Sequence, residues 1–112
     1  MTHHTFNAKV WQYPGMAGWH FVSLPKTLSA RLKKTYGKQQ RGWGSLPVIM
    51  TLGQTTWKTS IFPDRKAGTY LLPLKAAVRK KANINMGDKR KFVLEITSPK
   101  VLLAGNKVSL YS

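Results

Sequence analysis

The chain contains no cysteine and only three acidic residues, Asp64, Asp88 and Glu95. The first absence excludes disulfides and thiolate zinc sites. The second narrows catalysis. General acid–base chemistry usually needs His, Asp or Glu, and that pool here is His3, His4, His20, Asp64, Asp88 and Glu95. Long apolar runs are missing as well, so no membrane-spanning helix is expected. The opening Met1-Thr2-His3-His4-Thr5 lacks a charged region followed by an apolar stretch. No secretory signal is therefore expected, and a reducing, cytoplasmic setting is the default.

Each candidate acid or base has a structural explanation. Asp88 follows Gly87 in a turn, where a carboxylate accepts nearby backbone N–H groups. Glu95 lies on an outward strand face and is expected to be solvated or paired with lysine. His3 and His4 sit in a segment expected to fray, where metal binding would be adventitious. His20, between Trp19 and Phe21, reads as a half-buried strand residue. No Ser-His-Asp set has a plausible order. Gly42-Trp43-Gly44 has neither a Walker lysine nor dinucleotide spacing. No catalytic residue, metal or cofactor is assigned, and the chain is expected not to be an enzyme.

What is abundant is positive charge. Nineteen Lys and Arg residues leave a net charge of +16 on 112 residues. That length fits a single domain, residues 1–112, able to bury roughly two-thirds of its unfolded surface. A charge this large repels itself unless an anion offsets it. It is also uneven. Residues 26–44 carry +6 and residues 65–91 carry +8, so two segments hold nearly all of it.

Alternation of apolar and polar residues predicts strands over residues 6–13 and 89–97, and aromatic and β-branched content predicts one over 19–24. A hairpin closed at Gly53-Gln54 gives strands over 46–52 and 55–62, and a short strand over 69–72 is closed by Pro73. Residues 27–36 carry Leu28, Leu32 and Tyr36 at helical spacing, with Gly37 as a stop. Residues 74–82 predict a second short helix with Leu74 and Val78 inward. Residues 98–112 read as a final hairpin around Gly105-Asn106. Many short strands with two short helices predict a mainly β fold, a small closed or nearly closed barrel. The basic segments also look alike. Leu24-Pro25 is followed by Arg31 and Lys33, and Leu72-Pro73 by Arg79 and Lys81, at an offset of 48 in all four cases. An internal duplication would give the barrel a pseudo-two-fold axis.

Several longer motifs follow in order: Trp19-His20-Phe21-Val22-Ser23-Leu24-Pro25, Arg41-Gly42-Trp43-Gly44-Ser45-Leu46-Pro47-Val48, Trp57-Lys58-Thr59-Ser60-Ile61-Phe62-Pro63, Tyr70-Leu71-Leu72-Pro73-Leu74-Lys75 with Val78-Arg79-Lys80, and Gly87-Asp88. Together they closely resemble a prokaryotic family, domain of unknown function nineteen-hundred-five, over about residues 5–97. The resemblance implies a small β-barrel and no particular activity. The stretch from Leu72 to Asp88 also resembles, more weakly, the half-barrel of AbrB-type regulators and MazE-type antitoxins, which pair two halves to bind DNA. The first half departs from that pattern: no Gly-Asp turn follows its helix, and a loop with Trp43 stands instead.

Two sets of candidate residues emerge. Arg31, Lys33, Lys34, Lys38, Arg41, Lys80, Lys81, Lys89 and Arg90, with Trp43 as a stacking ring, would suit DNA or RNA. Lys75 and Arg79, four apart and so on one helix face, would form with Thr59 and Ser60 a pocket for a small anion. In the alternative reading, Arg79 instead binds backbone carbonyls or an acid and holds the barrel shut. The expected function is non-catalytic binding of a polyanion, most simply nucleic acid. The alternatives are a small-anion pocket protein or weak enzyme, and an adaptor for acidic protein surfaces. No membrane partner is expected. The chain would be a monomer, or a homodimer paired through exposed strand edges.

Overall fold

A computed structural model describes residues 3–15, 18–37 and 44–97. The expected hairpin at 98–112, along with Lys38, Arg41 and Trp43, lies outside the described residues. Six strands and two helices follow one another as β1 (His3–Gln12), β2 (His20–Ser23), α1 (Lys26–Tyr36), β3 (Leu46–Leu52), β4 (Thr55–Asp64), β5 (Thr69–Leu74), α2 (Ala76–Ala82) and β6 (Lys89–Ile96). The strands close into an antiparallel barrel in the order β1-β2-β5-β4-β3-β6. Every strand therefore has a neighbour on each side. Pairing of two copies through a strand edge, one route considered from sequence, finds no free edge among these strands.

Alternation decides what faces inward. Phe6, Ala8 and Val10 of β1, Leu46, Val48, Met50 and Leu52 of β3, and Phe92, Leu94 and Ile96 of β6 all point into the core. Phe6 and Phe92 are Cα partners and stack with centroids 5.6 Å apart. Each of these side chains other than Ala8 contributes roughly 1.5–3 kcal/mol on full burial. Leu28, Leu32 and Tyr36 turn the apolar stripe of α1 onto this core.

Prolines account for the main departures from expectation. Pro63 and Pro73 were expected to end strands, yet β4 runs on to Asp64 and β5 to Leu74. A proline fits a strand wherever its missing N–H is not needed by the ladder. Leu74 is thus a strand residue, and α2 begins two residues later than expected, at Ala76. Gly37 does cap α1, but in an ordinary right-handed conformation. The left-handed cap belongs to Asn83, at the end of α2.

The strand ring has pseudo-two-fold order. Exchanging β1 with β4, β2 with β5 and β3 with β6 leaves the ring order unchanged. The repeat spacing in space is 50 residues rather than the 48 read from the Leu-Pro pairs. Pro25 and Lys75 occupy the equivalent N-cap positions of α1 and α2, with ψ of 148° and 156°. Their carbonyls accept equivalent bonds, from Ser29 N–H at 2.9 Å and from Arg79 N–H at 3.0 Å. Leu24 and Leu74, each just before its cap, are equally buried. Gly18 and Gly68 match too, with φ of +92° and +73°, a region where a side chain would be strained. The 48 came from aligning two prolines with different jobs, one capping a helix and one inside a strand.

Because β2 and β5 are antiparallel neighbours and each leads into a helix, α1 and α2 leave at opposite ends of the barrel. The basic residues of the two helices do not merge into one face, and Arg65 of the β4–β5 turn lies at the α1 end.

Candidate functional site

The α2 end carries an aromatic cluster. Beyond the inward-facing residues of β1 and β2, the alternate positions hold Trp11, Tyr13, Trp19 and Phe21. Trp11 and Phe21 are Cα partners across the two strands. Phe21 sits at the centre, with ring centroids 5.2 Å from Trp11, 6.3 Å from Tyr13 and 6.1 Å from Trp19. The Trp11 indole N–H donates to Ser23 Oγ at 3.0 Å, which fixes that ring. Tyr13 N–H donates to the Trp19 carbonyl at 2.8 Å and closes the loop between the strands. Trp19 and Tyr13 nonetheless stay 55% and 45% exposed. Rings held in place yet exposed are unusual on a surface with no partner.

Trp19 also forms one wall of a cleft of about 220 Å³ lined by Gly18, Trp19, His20, Phe21, Pro73, Leu74 and Lys75. The lining is mostly apolar, with Lys75 exposed at the edge. His20 Nδ1 is buried there without a hydrogen-bond partner. The guanidinium of Arg79 donates to the Leu74 carbonyl at 3.2 Å and to the Gly18 carbonyl at 3.4 Å. Those carbonyls belong to the two sides of the cleft. Arg79 clips the loop bearing Trp19 to the end of β5, the carbonyl-binding role considered for it from sequence.

Lysines extend this surface along the outer sheet. Lys9 lies directly opposite Lys89, and Lys91 opposite Asn7. Like charges facing each other across a ladder are destabilising on their own. No acid relieves them. Asp64 Oδ1 accepts the Ala67 N–H at 3.3 Å, and Asp88 Oδ2 accepts the Asn85 N–H at 2.8 Å. Glu95 pairs with His3 at 3.4 Å, not with a lysine, because the β1–β6 register sets the two opposite each other. Among the described residues no lysine or arginine is ion-paired with a carboxylate.

The sequence-predicted residues are divided by this geometry. Lys80, Lys81, Lys89 and Arg90 gather at the α2 end, where the turn before β6 bonds to Val10 through Asp88 and Gly87. Arg31, Lys33 and Lys34 lie on α1 at the opposite end. Thr59 and Ser60 are half-buried in β4 opposite Val48 and Pro47. Neither hydroxyl bonds to Lys75 or Arg79. Trp11, Tyr13, Trp19 and Phe21 were not selected from sequence. Their signal was present: aromatic residues occupy positions where the alternation calls for polar ones.

Among the described residues no three His, Asp or Glu side chains come together as a metal site requires, and no helix is long and apolar enough to cross a membrane. No curated protein matches the chain. A family model described as Domain of unknown function (DUF1905) matches residues 6–94, and the chain belongs to that family.

Proposed function

We propose that this protein is a non-catalytic binding domain for single-stranded nucleic acid, using the outer face of β1, β2 and β6 at the α2 end. The observation that carries the reading is the pair of exposed rings, Trp19 and Tyr13, set beside lysines that have no carboxylate partner. Bases stack on exposed aromatic rings for about 1–3 kcal/mol each, whatever their sequence. Phosphates supply the negative charge that Lys9, Lys75, Lys89 and Lys91 lack within the fold. The non-catalytic part rests on the acids, since all three already hold partners.

Fluorescence anisotropy with a labelled oligothymidylate tests it. Binding should be measurable at low salt and should weaken by about 300-fold between 50 and 200 mM salt if six phosphates are neutralised. Trp19→Ala should cost at least tenfold in affinity, while Lys34→Ala on the far end costs little. No binding to DNA or RNA at low salt would sink the proposal. Equal affinity for a polyglutamate chain would instead identify the face as one for acidic proteins.

A further inference from the structure

The opposite end of the barrel holds the counterpart of the Trp19 cleft, and its chemistry is different. A cavity of about 310 Å³ opens between α1 and the β4–β5 turn, lined by Ser29, Ala30, Lys33, Pro63, Asp64, Arg65, Gly68, Thr69 and Tyr70. The 50-residue equivalence places Gly68-Thr69-Tyr70 where Gly18-Trp19-His20 stand at the other end, and Ser29 where Arg79 stands. The helix-to-strand tie is kept with reversed polarity: Ser29 Oγ accepts the Tyr70 N–H at 3.0 Å.

From this cavity we infer a binding site for a small oxyanion, a phosphate group, which goes beyond the nucleic-acid reading and does not depend on it. Lys33 and Arg65 line it, and neither has a carboxylate partner among the described residues. Asp64 also lines it, but one carboxylate oxygen is held by the Ala67 N–H, and the two cations outnumber it. Thr69 Oγ1 is buried with no hydrogen-bond partner. A hydroxyl in that state calls for an acceptor, and an oxyanion between Lys33 and Arg65 is an acceptor of the right charge. The Ser29 oxygen already accepts from Tyr70, which leaves its own hydrogen to donate. Two cations and two hydroxyl donors around one cavity suit a tetrahedral oxyanion.

Thermal unfolding of the full chain in inorganic phosphate, against sodium chloride at equal ionic strength, tests the site. Phosphate should raise the Tm beyond chloride. Arg65→Ala and Thr69→Val should each remove at least half of that rise, and Lys34→Ala, one position along the same helix, should leave it. A phosphate effect no greater than that of chloride, or one weakened equally by Lys34→Ala and Arg65→Ala, overturns the inference. Trp19→Ala must leave the phosphate effect intact, which separates failure here from failure of the nucleic-acid reading. A short oligonucleotide added at fixed phosphate identifies the source. Competition that Arg65→Ala abolishes assigns the pocket to a backbone phosphodiester, and lack of competition assigns it to a free anion.

Discussion

Gly18-Trp19-His20 and Gly68-Thr69-Tyr70 stand at equivalent places on the two ends of one barrel. Each begins a strand after a left-handed glycine, and each is tied to the helix that follows the neighbouring strand. From there the ends diverge. One presents Trp19 and an apolar cleft clipped by Arg79. The other presents Thr69 and a polar cavity flanked by Lys33 and Arg65. The backbone plan is shared down to the N-cap hydrogen bonds, but α1 has 11 residues against 7 in α2, so the ends differ in helix length as well as in side chains. Chemistry is thus set on this scaffold locally, by what replaces what at matched positions, and each end can be altered without disturbing the other.

The largest expected effect tests whether the ends really are equivalent. Leu24→Ala and Leu74→Ala should each destabilise the fold by about 2–5 kcal/mol, and by similar amounts, because both are fully buried next to matching caps. Urea unfolding of the two variants checks this. A large inequality would break the equivalence.

Next come the two ties. Ser29→Ala removes the acceptor that a buried backbone N–H uses, and should cost about 1–3 kcal/mol by the same measurement. Arg79→Ala removes two bonds from a half-buried side chain and should cost less, about 1 kcal/mol. Its larger effect should fall on oligonucleotide affinity, because the loop bearing Trp19 loses its clip. Ser29→Ala should leave that affinity unchanged.

The smallest expected effect concerns pH at the α1 end. Burial, followed by the positive charge of Arg31, holds His4 below its ordinary pKa of 6.5. With the folded value depressed, the unfolded chain binds the proton first. The stability is therefore complete above pH 6.5 and declines as pH falls through the lower, folded value. A His4→Asn variant should show a flatter decline over that acidic window in thermal unfolding.

Much of this fold was legible as a sequence. The hairpin turn at Gly53-Gln54 marked β3 closely, alternation marked β6, and the Leu28, Leu32 and Tyr36 stripe marked α1. What misled was proline. Pro25 begins a helix, whereas Pro63 and Pro73 continue strands, and local sequence does not distinguish these uses because the ladder partner decides them. Much less of the site was legible. Lys75 and Arg79 were found, but their cleft forms only when the loop at Gly18 meets the end of β5, more than fifty residues away along the chain. The aromatic cluster was passed over because each ring, taken singly, reads as an ordinary strand residue. Only the barrel shows that the four share one outer face.

The three strand prolines have a further consequence, for aggregation. Pro47, Pro63 and Pro73 lie within β3, β4 and β5. Should the ring open beside one of them, on the side its imide nitrogen faces, that strand would expose an edge with one donor missing from its row. A foreign strand cannot add to such an edge without a gap. The closed ring hides its edges in the native state, and an opening that bares the imide nitrogen of β3, β4 or β5 leaves a spoiled template.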